Sequence, residues 1–173
     1  MTKALFLDRD GVINIEKDYL YKIDDFEFID GIIDLCRYFL SKNYKIFVVT
    51  NQSGIARGYY REKDFLLLTQ WMIEKFHTVG VTIEKVYYCP HHPDISGPCE
   101  CRKPKPGMLD QARKEFDLDM SNSILVGDKE RDIEAAINAG VKTTYLFDSL
   151  NKIEISSATK IVTHLEEIME YEC

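Results

Sequence analysis

Short apolar runs recurring between amphipathic stretches constrain this chain more than any other feature. Lys3–Leu7, Lys45–Thr50, Ile83–Tyr88, Ser123–Gly127 and Thr143–Phe147 are each of strand length and rich in apolar or β-branched residues. Most of them lack the polar alternation of a half-exposed strand, as expected of strands covered on both faces. Between them lie helical patterns. Gly31–Asn43 sets Ile32, Ile33, Leu35, Cys36, Phe39 and Leu40 on one stripe. Arg61–Val79 does the same with Phe65, Leu68, Met72, Phe76 and Val79. Gly107–Phe116 starts after Pro106, and Glu130–Ala139 stops at Gly140. This alternation predicts an α/β fold: a central parallel sheet between two helix layers, with right-handed crossovers. Lys160–Val162 fits a short edge strand and His164–Tyr171 a closing helix. With no repeat, linker or cap-sized insertion, residues 1–173 are read as a single domain without a large cap.

In such sheets ligands bind beyond the carboxyl ends of the strands, so the residues that follow each strand matter most. Asp8-Arg9-Asp10-Gly11 follows the first. Burial would not select two carboxylates there, because an unpaired buried carboxylate is costly. A hard cation would: Mg²⁺ takes one or two carboxylates plus water and phosphate oxygens. A metal-neutralised carboxylate can also attack phosphorus. Taken alone, the motif is equally a polar turn with glycine at positive φ. Thr50-Asn51-Gln52-Ser53-Gly54 follows the second strand. It carries a hydroxyl and amides fit for phosphate oxygens, and taken alone it is an ordinary turn. Gly127-Asp128-Lys129 and then Asp132 follow the fourth strand, adding a third carboxylate with a lysine beside it. The set in order is more specific than its parts. An acid pair, a hydroxyl, a cation and a further acid are what phosphoryl transfer requires.

The third strand is followed by CPHHPDISGPCECRKPKPG, residues 89–107, which holds three of the five cysteines. Cys89-x-His91 and Cys99-x-Cys101 offer three thiolates and one imidazole, the donor set of a tetrahedral zinc site. With all four positions filled by protein, such a zinc would be structural. Arg102, Lys103 and Lys105 would partly balance its residual negative charge. The alternatives are free thiols or a disulfide. A Cys99–Cys101 bridge would be strained. His92 is expected at the surface, Cys36 in the core, and Cys173 without a role. The loop's exit, Arg102-Lys103, is expected to be placed over the phosphate by the zinc knot of residues 89–101.

Composition restricts partners. With 22 Lys+Arg against 29 Asp+Glu, the net charge is −7, which leaves no global basic footprint for nucleic acid. No apolar run is long enough for a membrane span, and MTKALFLDRDG is too short of apolar residues for a signal peptide. The expectation is a cytoplasmic monomer with no membrane or nucleic-acid partner.

Leu7–Asn14, Thr50–Gly54, Cys101–Gly107 and Val126–Lys129 together resemble the four motifs of haloacid-dehalogenase-like (HAD) phosphatases. They are most similar to the histidinol-phosphatase/heptose-bisphosphate phosphatase branch. The resemblance spans about Lys3 to Phe147 and implies the following roles. Asp8 is the nucleophile and a Mg²⁺ ligand. Asp10 is the general acid/base and binds Mg²⁺ through its carbonyl, and Asp128 completes that site. Thr50 and Lys103 hold the transferring phosphoryl group, and Arg102 recognises substrate. Asn14, Tyr19, Asn51, Gln52, Ser53 and Lys129 line the substrate pocket. Zn²⁺ at Cys89, His91, Cys99 and Cys101 is structural.

The implied reaction is hydrolysis of the C7 phosphate of a heptose 1,7-bisphosphate through an aspartyl-phosphate, in nucleotide-heptose synthesis for bacterial surface polysaccharide. Histidinol phosphate is the alternative substrate. Glu16-Lys17-Asp18-Tyr19 departs from the glycine-containing form expected of this branch, and the zinc loop is short. Both departures bear on substrate choice. A reading from a different class is a zinc-loop interaction module on a catalytically silent scaffold, motivated by the loop's cations.

Overall fold

A computed structural model describes residues 1–173. Six parallel strands form one sheet: β1 (Lys3–Leu7), β2 (Tyr44–Asn51), β3 (Ile83–Cys89), β4 (Ile124–Gly127), β5 (Thr143–Phe147) and β6 (Lys160–Val162). Their order is β3-β2-β1-β4-β5-β6. The helices are α1 (Ile32–Ser41), α2 (Glu62–Thr78), α3 (Pro93–Ser96), α4 (Gly107–Phe116), α5 (Glu130–Asn138) and α6 (Glu166–Tyr171). The short α3 lies inside the cysteine-rich loop and has no apolar stripe, so periodicity does not predict it.

Alternation along β1 sorts the core into two layers. Leu5 and Leu7 join a cluster with Leu35, Phe39, Met72, Phe76 and Ile168, from α1, α2 and α6. Ala4 and Phe6 face the opposite way, onto Met108, Leu109, Ile133 and Ala136 of α4 and α5. Both faces are therefore dry, and Leu5, Phe6 and Leu7 are fully buried. That explains why β1 shows no polar alternation. Cys36 is core, as expected. Val79 is not: at the end of α2 it is exposed, and its carbonyl accepts two hydrogen bonds from Arg37.

β1 is the pivot of the topology. The chain lays β2 and β3 on one side of it, then crosses to lay β4 on the other. Leu7 sits between Val48 and Val126 in register. Strand order reverses there, so the carboxyl ends of β1 and β4 flank the crevice where open α/β sheets bind ligands.

Candidate active site and metal centres

Asp8 leaves β1 and Asp128 leaves β4 at that crevice. Gly11, at φ +91°, lets them approach: a Cβ there would lie 2.1 Å from Asp128 Oδ2. The turn thus requires glycine twice, for its backbone conformation and for space. Lys103 enters from the exit of the cysteine-rich loop and is 2% exposed. Its Nζ lies 2.9 Å from Asp8 Oδ1 and 2.7 Å from Asp132 Oδ1, and donates to Val49 O at 2.7 Å. All three ammonium donors are used. Burial alone would lower the Lys103 pKa, but the charges of Asp132 and Asp8 outweigh it and hold the ammonium above its ordinary value.

Sequence reasoning found Asp132 but assigned it no part. In the fold it is 1% exposed, and its Oδ2 accepts the backbone N–H groups of Asp128 and Lys129 at 3.2 and 3.0 Å. It caps α5 and seats Lys103 at once. Its position as the third residue of a helix opening on Gly-Asp-Lys was the available signal.

Asp10 projects beside this floor. Its Oδ1 accepts from Arg9 Nη2 at 2.9 Å and Asn14 Nδ2 at 3.0 Å, and its Oδ2 from Gln52 Nε2 at 3.1 Å. Arg9, unassigned by sequence reasoning, is almost fully buried and also donates to Leu20 O. The expectation for Asn14 is corrected. It does not line the pocket but is fully buried, held in a bridge to Phe28, with its amide aimed at Asp10 and Ile15 O. Asn51 borders the cavity, yet its amide is committed: Oδ1 accepts Lys103 N at 3.0 Å and Nδ2 donates to Lys103 O at 3.2 Å. It grips the lysine's backbone from both sides. Thr50 is 1% exposed and its Oγ1 accepts from Gln52 Nε2 at 2.9 Å. It is not part of the cavity wall.

The cavity above the floor has a volume of about 350 Å³. Every lining residue carries a polar side-chain atom, and its two hydrophobic members are Tyr19 and Tyr60. Arg57, Arg102, Lys129 and Arg131 bring cations to the wall in addition to Lys103. Tyr19 packs edge-on against Tyr59, with ring centroids 4.7 Å apart, and Arg57 lies over its ring. Gln52 is held from behind by the Tyr60 hydroxyl. The set is suited to a phosphorylated, hydroxyl-rich ligand and not to an apolar one.

The floor fits a hard cation. Burial first, then the charge of Asp132, pushes the Asp8 carboxyl well above the usual carboxylate range, and Lys103 pulls it only partly back. Burial and Asp132 raise Asp128 as well. Asp128 Oδ1 is buried with no hydrogen-bond partner. Acceptor oxygens of Asp8, Asp128 and Asp132 lie within 4.8 Å of one another. Asp132 is already satisfied by Lys103 and two backbone amides, so Asp8 and Asp128 are the carboxylates left for an ion.

The second cluster fits zinc. The Cys89–Cys99 and Cys99–Cys101 sulfurs are each 3.6 Å apart, and His91 Nδ1 lies 3.7 Å from Cys89 Sγ and 3.3 Å from Cys101 Sγ. A tetrahedral zinc with bonds near 2.3 Å to sulfur has edges of about 3.8 Å. No disulfide forms. Two expectations change here. Lys103 does not balance the thiolates, because it is turned to Asp8 and Asp132. His92 is not at the surface: its side chain is 14% exposed, and its Nδ1 caps α3 by accepting Asp94 N.

Comparison with known proteins agrees with this geometry. The HAD-hydrolase-like family model matches residues 100–166. A Campylobacter jejuni protein named D-glycero-alpha-D-manno-heptose-1,7-bisphosphate 7-phosphatase is 58% identical over 151 residues, 87% of this chain and 86% of that one. The chain belongs to the HAD-like phosphatases. A second member of the family, the beta-named heptose-bisphosphate 7-phosphatase of Yersinia pestis, is 49% identical over 83% of this chain and 79% of its own. The crystal structure of a D,D-heptose 1,7-bisphosphate phosphatase from B. bronchiseptica, complexed with magnesium and phosphate, superposes with a TM-score of 0.85 at 28% identity. It covers 98% of this chain and 99% of that one. As a HAD phosphatase the protein is an enzyme, which sets aside the silent-scaffold reading. HAD phosphatases use Mg²⁺, the ion class that the Asp8–Asp128 floor fits.

Proposed function

We propose that the enzyme hydrolyses the C7 phosphate of D-glycero-D-manno-heptose 1,7-bisphosphate, within nucleotide-heptose synthesis for a bacterial surface polysaccharide. One observation carries this reading: Asp8, Asp128 and a fully engaged Lys103 form the floor of a cavity whose walls hold four more cations. Those wall cations suit a substrate with a second phosphate. The names of the relatives supply the sugar.

Mg²⁺ would be held by Asp8, the Asp10 carbonyl and Asp128, and would supply charge neutralisation for the nucleophile and the phosphate oxygens. Asp8 attacks phosphorus. Asp10 protonates the departing sugar oxygen, then takes a proton from the water that hydrolyses the aspartyl-phosphate. Arg9, Asn14 and Gln52 orient the Asp10 carboxyl for both steps. Lys103, fixed by Asn51 and Asp132, meets charge on the transferring phosphoryl group, while the buried Thr50 hydroxyl holds Gln52 from behind the wall. Arg102 and Lys129 recognise the substrate beyond the reacting phosphate. Cys89, His91, Cys99 and Cys101 would hold a Zn²⁺ that fixes the loop delivering Arg102 and Lys103.

The free thiols fit a reducing compartment, the cytoplasm. The test is phosphate release from both anomers of heptose 1,7-bisphosphate beside histidinol phosphate. The heptose compounds are expected to have the higher kcat/KM, and preference for histidinol phosphate would overturn the assignment.

A further inference from the structure

One side chain of the cavity wall has no part in the mechanism above. Tyr60 lies in the segment between β2 and α2 and is 6% exposed. Its ring stacks on Tyr21, with centroids 5.4 Å apart, and fills the space that Gly54 leaves. A Cβ on Gly54 would lie 2.2 Å from the Tyr60 ring. The Tyr60 hydroxyl donates to Gln52 Oε1 and has no other hydrogen-bond partner. Burial pushes the phenol up to about 12, so it carries its proton throughout the neutral range.

A carboxamide has two unlike ends, and this bond decides which end faces which neighbour. With Oε1 given to Tyr60, Nε2 is turned the other way. It donates to Asp10 Oδ2 at 3.1 Å and to Thr50 Oγ1 at 2.9 Å, so both amide hydrogens are used. The consequence falls on Asp10. Its Oδ1 accepts from Arg9 and Asn14, which occupy its lone pairs. Its Oδ2 accepts from Gln52 alone and keeps one lone pair free. When Asp10 acts as an acid, its proton therefore sits on Oδ2. A Gln52 that presents only N–H groups cannot accept that proton, which stays available to an oxygen in the cavity. The reversed amide would set Oε1 against Oδ2 and hold the proton in a hydrogen bond of its own. It would also leave the phenol proton without an acceptor.

We propose that Tyr60 is a positioning residue: its hydroxyl fixes the polarity of the Gln52 amide and so keeps the Asp10 proton directed at the departing alcohol. In that step the bond from Asp8 to phosphorus forms and the bond from phosphorus to the sugar oxygen breaks. The proton passes from Asp10 Oδ2 to that oxygen. The proposal rests on Asp10 as the general acid in the reading above, and not on which alcohol departs.

The test measures kcat/KM, which reads the steps up to release of the alcohol. Wild type, Tyr60→Phe, Gln52→Ala and the double variant are compared on heptose 1,7-bisphosphate and on p-nitrophenyl phosphate, whose leaving group departs as an anion without protonation. Tyr60→Phe keeps the ring and its stack on Tyr21, and a thermal melt checks that the fold persists. It should lose roughly fivefold in kcat/KM on the heptose bisphosphate and clearly less on p-nitrophenyl phosphate. In the Gln52→Ala enzyme no amide remains to be turned, so adding Tyr60→Phe should cost nothing further. An unchanged kcat/KM of Tyr60→Phe on the sugar ester would overturn the proposal. So would an equal loss on both esters, which marks a general disturbance of the site. A loss that persists in the Gln52→Ala background would overturn it too, because Tyr60 would then act on the substrate directly. Wild type that turns over histidinol phosphate in place of the heptose compound overturns the substrate assignment alone. The same comparison then runs on that ester, whose departing oxygen equally needs a proton.

Discussion

Two clusters of anionic ligands stand at the same carboxyl-end edge of the sheet, with β2 between them, and they are organised in opposite ways. The acid cluster after β1 and β4 is built into the fold. Asp132 is pinned by two helix-opening amides, Lys103 spends every donor on buried acceptors, and Gly11 leaves space for Asp128. The Cys/His cluster after β3 has no such scaffold. Its cations Arg102 and Lys105 bond loop carbonyls, at His91 O and Cys99 O, and Cys99 and Cys101 are only partly buried. The first site is assembled before its ion arrives. In the second, a bound zinc would supply the cross-links between the four donors. The two are joined through the backbone, since Cys101 is two residues from Lys103.

That contrast can be broken in several places. Asp8→Asn should lower phosphate release by at least about 10³-fold with an unchanged circular-dichroism spectrum. Retained turnover would remove Asp8 as nucleophile. Lys103→Ala leaves the Asp8 and Asp132 carboxylates buried without a cation, which should cost about 3–5 kcal/mol in denaturant melts as well as activity. A stability close to wild type would mean that the acid cluster is not organised by its lysine.

Zinc removal separates the two clusters. Chelation should lower the melting temperature by roughly 5 °C, open residues 89–101 to protease and weaken turnover even in excess Mg²⁺. Full activity of a zinc-free protein would cut the link between the loop and Lys103. Asn51→Ala releases the grip on the Lys103 backbone and should cost about 1–2 kcal/mol in transition-state stabilisation, read as kcat/KM. An unchanged value would show that the loop alone seats the lysine.

The smallest effect is protonic. Burial pushes the Cys89 thiol well up, and burial also raises Cys101. Burial would raise Cys99 too, but the Arg102 backbone N–H and the neighbouring thiols bring it down to about 7. At neutral pH the ion-free loop therefore keeps its Cys89 and Cys101 protons and has lost only part of the Cys99 proton. Zinc uptake must release protons, so apparent affinity should rise with pH and fall below pH 7. The proton count should be largest in acid and decline as pH rises through 7. Buffer-dependent calorimetry reads this directly, and a pH-independent proton count would show that Cys99 does not titrate there.

Much of this was legible from one-dimensional pattern. Strand and helix positions follow from apolar spacing, and the order of chemistry at the strand ends follows once the sheet is taken as parallel. The gathering of Cys89, His91, Cys99 and Cys101 follows from their close spacing along one loop. What failed to show was the direction in which a polar side chain points. Asn14 looked like pocket lining because it follows the first motif, yet a bridge to Phe28 turns it under Asp10. Asn51 and Lys103 are far apart in the chain, and nothing local suggests that one grips the backbone of the other. Arg9 lies between two acids, but only the fold reveals it as a buried brace reaching Leu20.

Residue types and spacing were enough for the class of sheet, the acid pair, the Cys/His cluster and the kind of reaction, because strand period, helix period and ligand chemistry are local properties. The partners of Lys103, the placement of Asp132, the retreat of Asn14 and the bond from Tyr60 to Gln52 depended on tertiary structure. A buried charge settles wherever distant segments together satisfy it, and no local pattern encodes that balance.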